Sequence, residues 1–224
     1  MSDFISLIQK IENVKVIDSS IDYSGYIALD LSVKNTDLDN FDLTSSSEFE
    51  KYIDGFLLKN NSKVAFGGYN EIRNLYKRST VFRNETSVER NIHIGLDLWI
   101  KAETNVLAAL NGTVHSFQNN TSLGDYGPTI ILEHELENIK FYTLYGHLSV
   151  ESLLNLKTGM HFSKGEKIAT LGNFPINGDY APHLHFQIIK NIGDFRGDYP
   201  GVCAKNDLDF YLENCPDPNL LLKI

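Results

Sequence analysis

The feature that most constrains this chain is a change of texture at about Ala65. From there to Ile189, short apolar runs alternate with turn-forming clusters: Gly67-Gly68, Asn111-Gly112, Gly124-Asp125, Gly172-Asn173 and Asn177-Gly178-Asp179. Glycine and asparagine tolerate the positive φ that tight turns require, so this punctuation leaves segments too short for ordinary helices. The intervening stretches, 94–100, 113–117, 129–134, 140–144, 167–171 and 183–189, are predicted strands. Closely spaced short strands point to a mainly β fold: an antiparallel sheet, sandwich or barrel.

Ahead of that region the pattern is helical. Phe4, Leu7, Ile8 and Ile11 share one face at helical spacing, which predicts a short amphipathic helix. Ser45, Ser46 and Ser47 precede EFEKYIDGFLL, whose acids fall in the first turn. Phe49, Tyr52, Ile53, Phe56 and Leu57 make an apolar stripe along it, predicting a second helix that Asn60-Asn61-Ser62 ends. Residues 26–33 read as a strand, and 150–156 carry a helical signal. The tail after Asn191, rich in Gly, Asp, Pro and Tyr, reads as an ordered loop closing against the body. The expected organisation is an extension over 1–64, its helices packing on the body, and a β domain over 65–224 with that closing tail.

Composition narrows the function classes. Hydrophobic residues at 42% and charged residues at 22% can build a core, which excludes wholesale disorder. Lys plus Arg number 20 and Asp plus Glu 29, a formal net charge of −9. So acidic a surface repels phosphate backbones, and with no basic patch no nucleic-acid partner is expected. The longest apolar run, 106–110, is far short of a bilayer, so no membrane span is expected. The opening MSDFISLIQK places Asp3 where a secretion signal needs positive charge, and a cytoplasmic address is expected. Cys203 and Cys215 lack CxxC spacing and fit a reducing compartment, with a single bridge between them left open. Nothing in the sequence fixes an oligomeric state.

The seven histidines carry the chemistry: His93, His115, His134, His147, His161, His183 and His185. Strand residues two or four apart point to the same face. HIGLD, from His93 to Asp97, therefore puts an imidazole and a carboxylate on one side, and HLH puts His183 and His185 on one side. YGHLS adds His147 behind a glycine that permits close approach. Three N/O ligands with an open fourth position make a catalytic zinc site. One such set is His93, Asp97 and one member of the HLH pair. The helical signature HExxH is absent, and HELEN, from His134, lacks the second histidine. The general base would then be a histidine outside the ligand set: His147 or the other HLH member.

HIGLD, YGHLS and PHLHFQ, in this order, resemble the hallmark motifs of the lysostaphin- and LytM-type zinc metallopeptidases. The resemblance runs from about Tyr69 to Ile189 and takes in GTVHSF, GDYGPTIILEH, FYTLYGHLS and KGEKIATLGN. It implies a barrel-sandwich hybrid β fold and a single Zn²⁺ held by His93, Asp97 and His185. It also implies catalytic roles for His147 and His183, in a metalloendopeptidase acting on peptides or peptidoglycan fragments. GGYNEIR and the tail CPDPNLLL resemble a bacterial subgroup lacking secretion signals, in some members fused to an aminotransferase-like domain.

Other candidates receive plainer readings. His115, His134 and His161 are read as hydrogen-bonded or solvent-facing. Tyr145 is a substrate donor or packing, and Trp99 floors a groove or fills the core. Arg73, Arg78, Arg83 and Arg90 are candidate binders of a substrate carboxylate, with a solvated surface favoured for each. Two other function classes compete with the hydrolase. One is a non-catalytic zinc-containing binding or regulatory module of the same fold, against which the complete ligand and histidine set argues. The other is a biotinyl- or lipoyl-type carrier, which lacks the hairpin-tip lysine it would need.

Overall fold

The computed structural model of the protein describes residues 3–75 and 89–224. Helix α1 (Asp3–Gln9) buries Phe4 and Ile8, ending short of Ile11. Helix α2 (Ser46–Lys59) starts where the serines predict: the Ser45 hydroxyl accepts from Glu48 N at 3.4 Å, and Lys59 lies at the negative end of the helix dipole. Its Phe49 and Ile53, four apart, are buried. The strand expected over 26–33 is confined to β1 (Tyr26–Ala28). No helix among the described residues is long and apolar enough to cross a membrane.

The remaining strands are β2 (Val64–Gly67), β3 (Glu71–Ile72), β4 (Arg90–His93), β5 (Leu96–Trp99), β6 (Asn105–Leu107), β7 (Gly112–Asn120), β8 (Gly127–Leu136), β9 (Ile139–Gly146), β10 (His161–Phe162), β11 (Lys167–Thr170), β12 (His183–Ile189) and β13 (Val202–Ala204). The main sheet runs β1-β2-β5-β12-β9-β8-β7-β10, beside a pair β11-β6 and a three-stranded sheet β13-β4-β3. Among the described residues all pairings between these strands are antiparallel except β1 with β2, so the mainly β expectation holds with one parallel edge.

Two expectations need correction. The tail is not a loop: it forms β13, helix α3 (Leu208–Asn214) and helix α4 (Asn219–Leu222). The helical signal at 150–156 yields only a 3₁₀ turn, Val150–Leu153. All four are short elements whose form follows from packing rather than propensity.

Among the described residues the core falls into three apolar groups. The largest joins α1 and α4 to the main sheet through Phe4, Ile8, Leu98, Phe141, Leu184, Phe186 and Leu221. A second joins α2 to the sheet through Phe49, Ile53, Leu29, Leu31, Ala65 and Trp99, with Leu75, Tyr180 and Ala181 beside them. The third packs the tail on the sheet through Ile94, Ile131, Leu144, Tyr199, Cys203 and Cys215. Full burial of one such large apolar side chain contributes about 1.5–3 kcal/mol, so both flanks are bound tightly to the sheet whose face carries the histidines. Cys203 and Cys215 are buried free thiols.

Candidate active site

Strand register decides which side chains meet. In the β5–β12 pairing His185 lies opposite Asp97 and His183 opposite Trp99, so all four share one face of the sheet. His185 is also paired with Gly146 of β9, and His147 follows immediately. His93 arrives differently from the single-strand picture of HIGLD. The strand is interrupted at Ile94-Gly95, so His93 ends β4 in the small sheet while Asp97 lies in β5. Gly95 makes this possible, because a Cβ there would lie 2.3 Å from His185 Cε1.

His93, Asp97 and His185 are all buried, and they form the one potential metal-holding group among the described residues. His93 Nε2 lies 2.9 Å from His185 Nδ1 and 3.3 Å from Asp97 Oδ1, and His185 Nδ1 lies 3.1 Å from the same oxygen. Outer partners fix the tautomers. His93 Nδ1–H donates to Gly68 O at 2.9 Å. Gln187 donates Nε2–H to Pro200 O at 3.1 Å and to Cys215 Sγ at 3.2 Å. That turns its Oε1 toward His185 Nε2, 3.0 Å away, which must then be the donor. In the neutral rings, His93 Nε2 and His185 Nδ1 therefore both present lone pairs to each other and to a carboxylate oxygen. Three acceptors converging without a proton repel, and a cation at their centre removes the repulsion. Metal–ligand bonds of 2.0–2.1 Å in a tetrahedron set neighbouring donors about 3.3 Å apart, so the separations fit a divalent ion.

Two more imidazoles face this cluster. His147 and His183 have ring centroids 4.2 Å apart, and His183 Nε2 lies 3.9 Å from Asp97 Oδ1. His147 Nδ1–H donates to Asn177 O and His183 Nδ1–H to Ala181 O, each at 2.7 Å, so both rings carry the lone pair at Nε2. His147 holds φ +63°, a left-handed conformation costing about 1–3 kcal/mol. Its backbone is clamped on both sides, N–H to Tyr126 O at 2.8 Å and O from Gly172 N at 2.9 Å. His183 stacks on Trp99.

Burial dominates the electrostatics. It pushes His93 down to about 4, although Asp97 pulls the other way. It lowers His183, and it holds His147 well below the ordinary histidine range, helped by His183 and His185. These rings are neutral at pH 7. Burial opposes the Asp97 charge, but His93 and Arg73 beside it, with hydrogen bonds from His185 and His93, keep it well below the usual carboxylate range.

The site opens into a cavity of about 240 Å³. It is lined by Phe49 of α2, Leu75, Trp99 and Tyr180, and by Asp125, Tyr126, Asp198, Tyr199 and Arg90. Burial raises both Asp125 and Asp198. The extension is tied to the turn that precedes Tyr180, since Ser46 Oγ donates to Asp179 Oδ1 at 2.6 Å.

The other sequence candidates separate cleanly. Trp99 both lines the cavity and fills the second apolar group. Tyr145 is packing: it is fully buried and its hydroxyl accepts from Ala109 N. His134 is buried between Asn111 O and Thr143 Oγ1, His115 bonds Ser116 Oγ, and His161 is exposed. Arg73 contradicts its solvated reading, being 2% exposed with Nη1 on Asp97 Oδ2. Its burial depends on pairing with a carboxylate distant in sequence. Arg90 is half-buried on Val202 O, and Arg78 and Arg83 lie outside the described residues. Sequence reading gave Tyr126 no role, although it stands in GDYGP; its hydroxyl lies 3.4 Å from His185 Nε2 and donates to Tyr199 O.

A mainly β scaffold brings two imidazoles and one carboxylate to a common point, with two further imidazoles beside an open cavity, and the three could hold a metal ion. Residues 91–196 match the model of Peptidase family M23. Among solved structures, the chain is similar to the catalytic domain of the antimicrobial peptidase lysostaphin from Staphylococcus simulans, with 24% identity, TM-score 0.43, and 68% of this chain and 93% of that one covered. It is similar to the antimicrobial peptidase lysostaphin from the same organism, with 27% identity, TM-score 0.37, and 55% and 45% covered. It is also similar to Helicobacter pylori Csd3, with 26% identity, TM-score 0.34, and 59% and 34% covered. No curated protein matches.

Proposed function

We propose that this chain is a zinc-dependent metalloendopeptidase hydrolysing peptide bonds in peptidoglycan stem or cross-bridge peptides, or in similar small peptides. The observation that carries the reading is the convergence of His93 Nε2, His185 Nδ1 and Asp97 Oδ1, each ring's other nitrogen being tied to an acceptor. These three residues would hold the ion. Zinc, when bound, supplies Lewis acidity and makes hydroxide available near neutral pH.

The chain supplies the proton handling. His147 and His183 present unprotonated Nε2 atoms on the cavity side, so either can take a proton from an attacking water. The protonated ring then donates to the leaving amine, and its charge stabilises the developing oxyanion. Asp97 lies within 3.9 Å of His183 Nε2 and favours that protonated state. Carbonyl acceptors hold both rings in one tautomer, so neither must reorient before reacting.

The test is incubation of zinc-loaded protein with muropeptides and oligoglycines, followed by mass spectrometry. Cleavage that His147→Ala abolishes supports the reading. Stoichiometric zinc without cleavage, and no effect of His147→Ala, removes the enzyme.

A further inference from the structure

We propose that Arg73 is a positioning residue that reserves one oxygen of Asp97 for the metal, and that Glu71 and the backbone of the N-terminal extension hold Arg73 in place. This rests on the metal-centre reading above. The two Asp97 oxygens face different partners. Oδ1 faces His93 Nε2 and His185 Nδ1 at 3.3 and 3.1 Å, whereas Oδ2 accepts from Arg73 Nη1 at 2.6 Å. A carboxylate with both oxygens available can grip an ion through one or two of them. With Oδ2 engaged in a charge-assisted hydrogen bond, Asp97 offers one.

Arg73 is itself anchored. Its Nε donates to Glu71 Oε2 at 2.5 Å, and Glu71 Oε1 accepts from Leu31 N at 3.1 Å. The guanidinium carbon lies 5.6 Å from the Trp99 ring centroid. A line of contacts thus runs from Leu31 through Glu71 and Arg73 to Asp97. Gly68 completes it: its O accepts from His93 Nδ1, and a Cβ there would fall 1.8 Å from Arg73 Nη2. One turn therefore serves two of the three ligands. Leu31, Gly68, Glu71 and Arg73 all precede residues 91–196, so this support comes from chain outside the matched family domain.

A buried arginine facing two carboxylates is costly to delete alone, because it leaves both charges unpaired. The double variant Glu71→Gln, Arg73→Met keeps the net charge and frees Oδ2. The readout is the visible spectrum of the cobalt(II)-loaded protein, whose intensity falls as coordination rises from four to five. Wild type gives the intense four-coordinate spectrum. The double variant loses about two-fold in intensity as Asp97 binds through both oxygens. Arg73→Lys, which can still donate to Oδ2, keeps the wild-type spectrum. A double variant with the wild-type melting temperature and the wild-type cobalt spectrum overturns the role of Arg73 while leaving the metal centre standing. A wild-type protein that takes up no metal removes the proposed function, and this inference with it.

Discussion

Gly95 lies flat against the imidazole of His185, close enough that a Cβ at position 95 would sit 2.3 Å from Cε1 and 2.5 Å from Nε2. His185 is also held by Gln187 and by its register opposite Asp97, so the ring has little room to yield. Gly95→Ala is expected to push Nδ1 away from Asp97 and to weaken zinc binding about 10–100-fold, measured by chelator competition, with the circular dichroism spectrum retained. Unchanged affinity would show that the ring is freer than its contacts imply.

Gln187 sets the tautomer of His185 through its side-chain oxygen. Gln187→Met keeps the volume but removes that acceptor, letting the imidazole proton move to the metal-facing nitrogen. Zinc affinity is expected to fall about ten-fold or more. Unchanged zinc affinity in the variant would contradict the tautomer assignment.

His147 and His183 stand beside the proposed ligand set but outside it. Alanine at either position is expected to reduce turnover of a cleavable peptide by about 10²–10⁴-fold while leaving stoichiometric zinc. A variant that loses its metal would instead place that histidine among the ligands.

His134 gives a pH prediction remote from the site. Burial holds it at about 4 against an ordinary 6.5, so the folded protein keeps it neutral while the unfolded chain takes a proton. The unfolded state therefore binds more protons below pH 6.5, and stability falls as pH drops from there toward 4. The contribution lost is about 2 kcal/mol at pH 5 and about 3 kcal/mol once pH is below 4. Urea unfolding of metal-free protein at pH 7.5 and pH 5 should show this extra loss in wild type but not in His134→Gln. Equal losses in the two proteins would assign the effect to other groups.

The parts of the site legible in the sequence are those set by local periodicity. HLH places two imidazoles on one face because the pleat repeats every two residues, and the α2 stripe places Phe49 inward because a helix repeats every 3.6. Spacing alone left open which HLH histidine joins Asp97; the β5–β12 register puts His185 opposite it, and that register is a long-range property. His93 and Asp97 do converge, but through a strand break at Gly95 rather than along one strand. Arg73, Tyr126 and Gln187 were illegible for a common reason. Each acquires its place from a partner 24 to 59 residues away, or from a tail whose β13 and helices form only on packing.

The most direct measurement is the metal content of the purified protein after equilibrium with excess zinc and dialysis, by inductively coupled plasma mass spectrometry, for wild type and His185→Ala. One zinc per chain in wild type and much less than one in the variant is the expected result. No zinc retained by wild type, or equal zinc in both proteins, would contradict the three-residue centre on which the hydrolase reading stands.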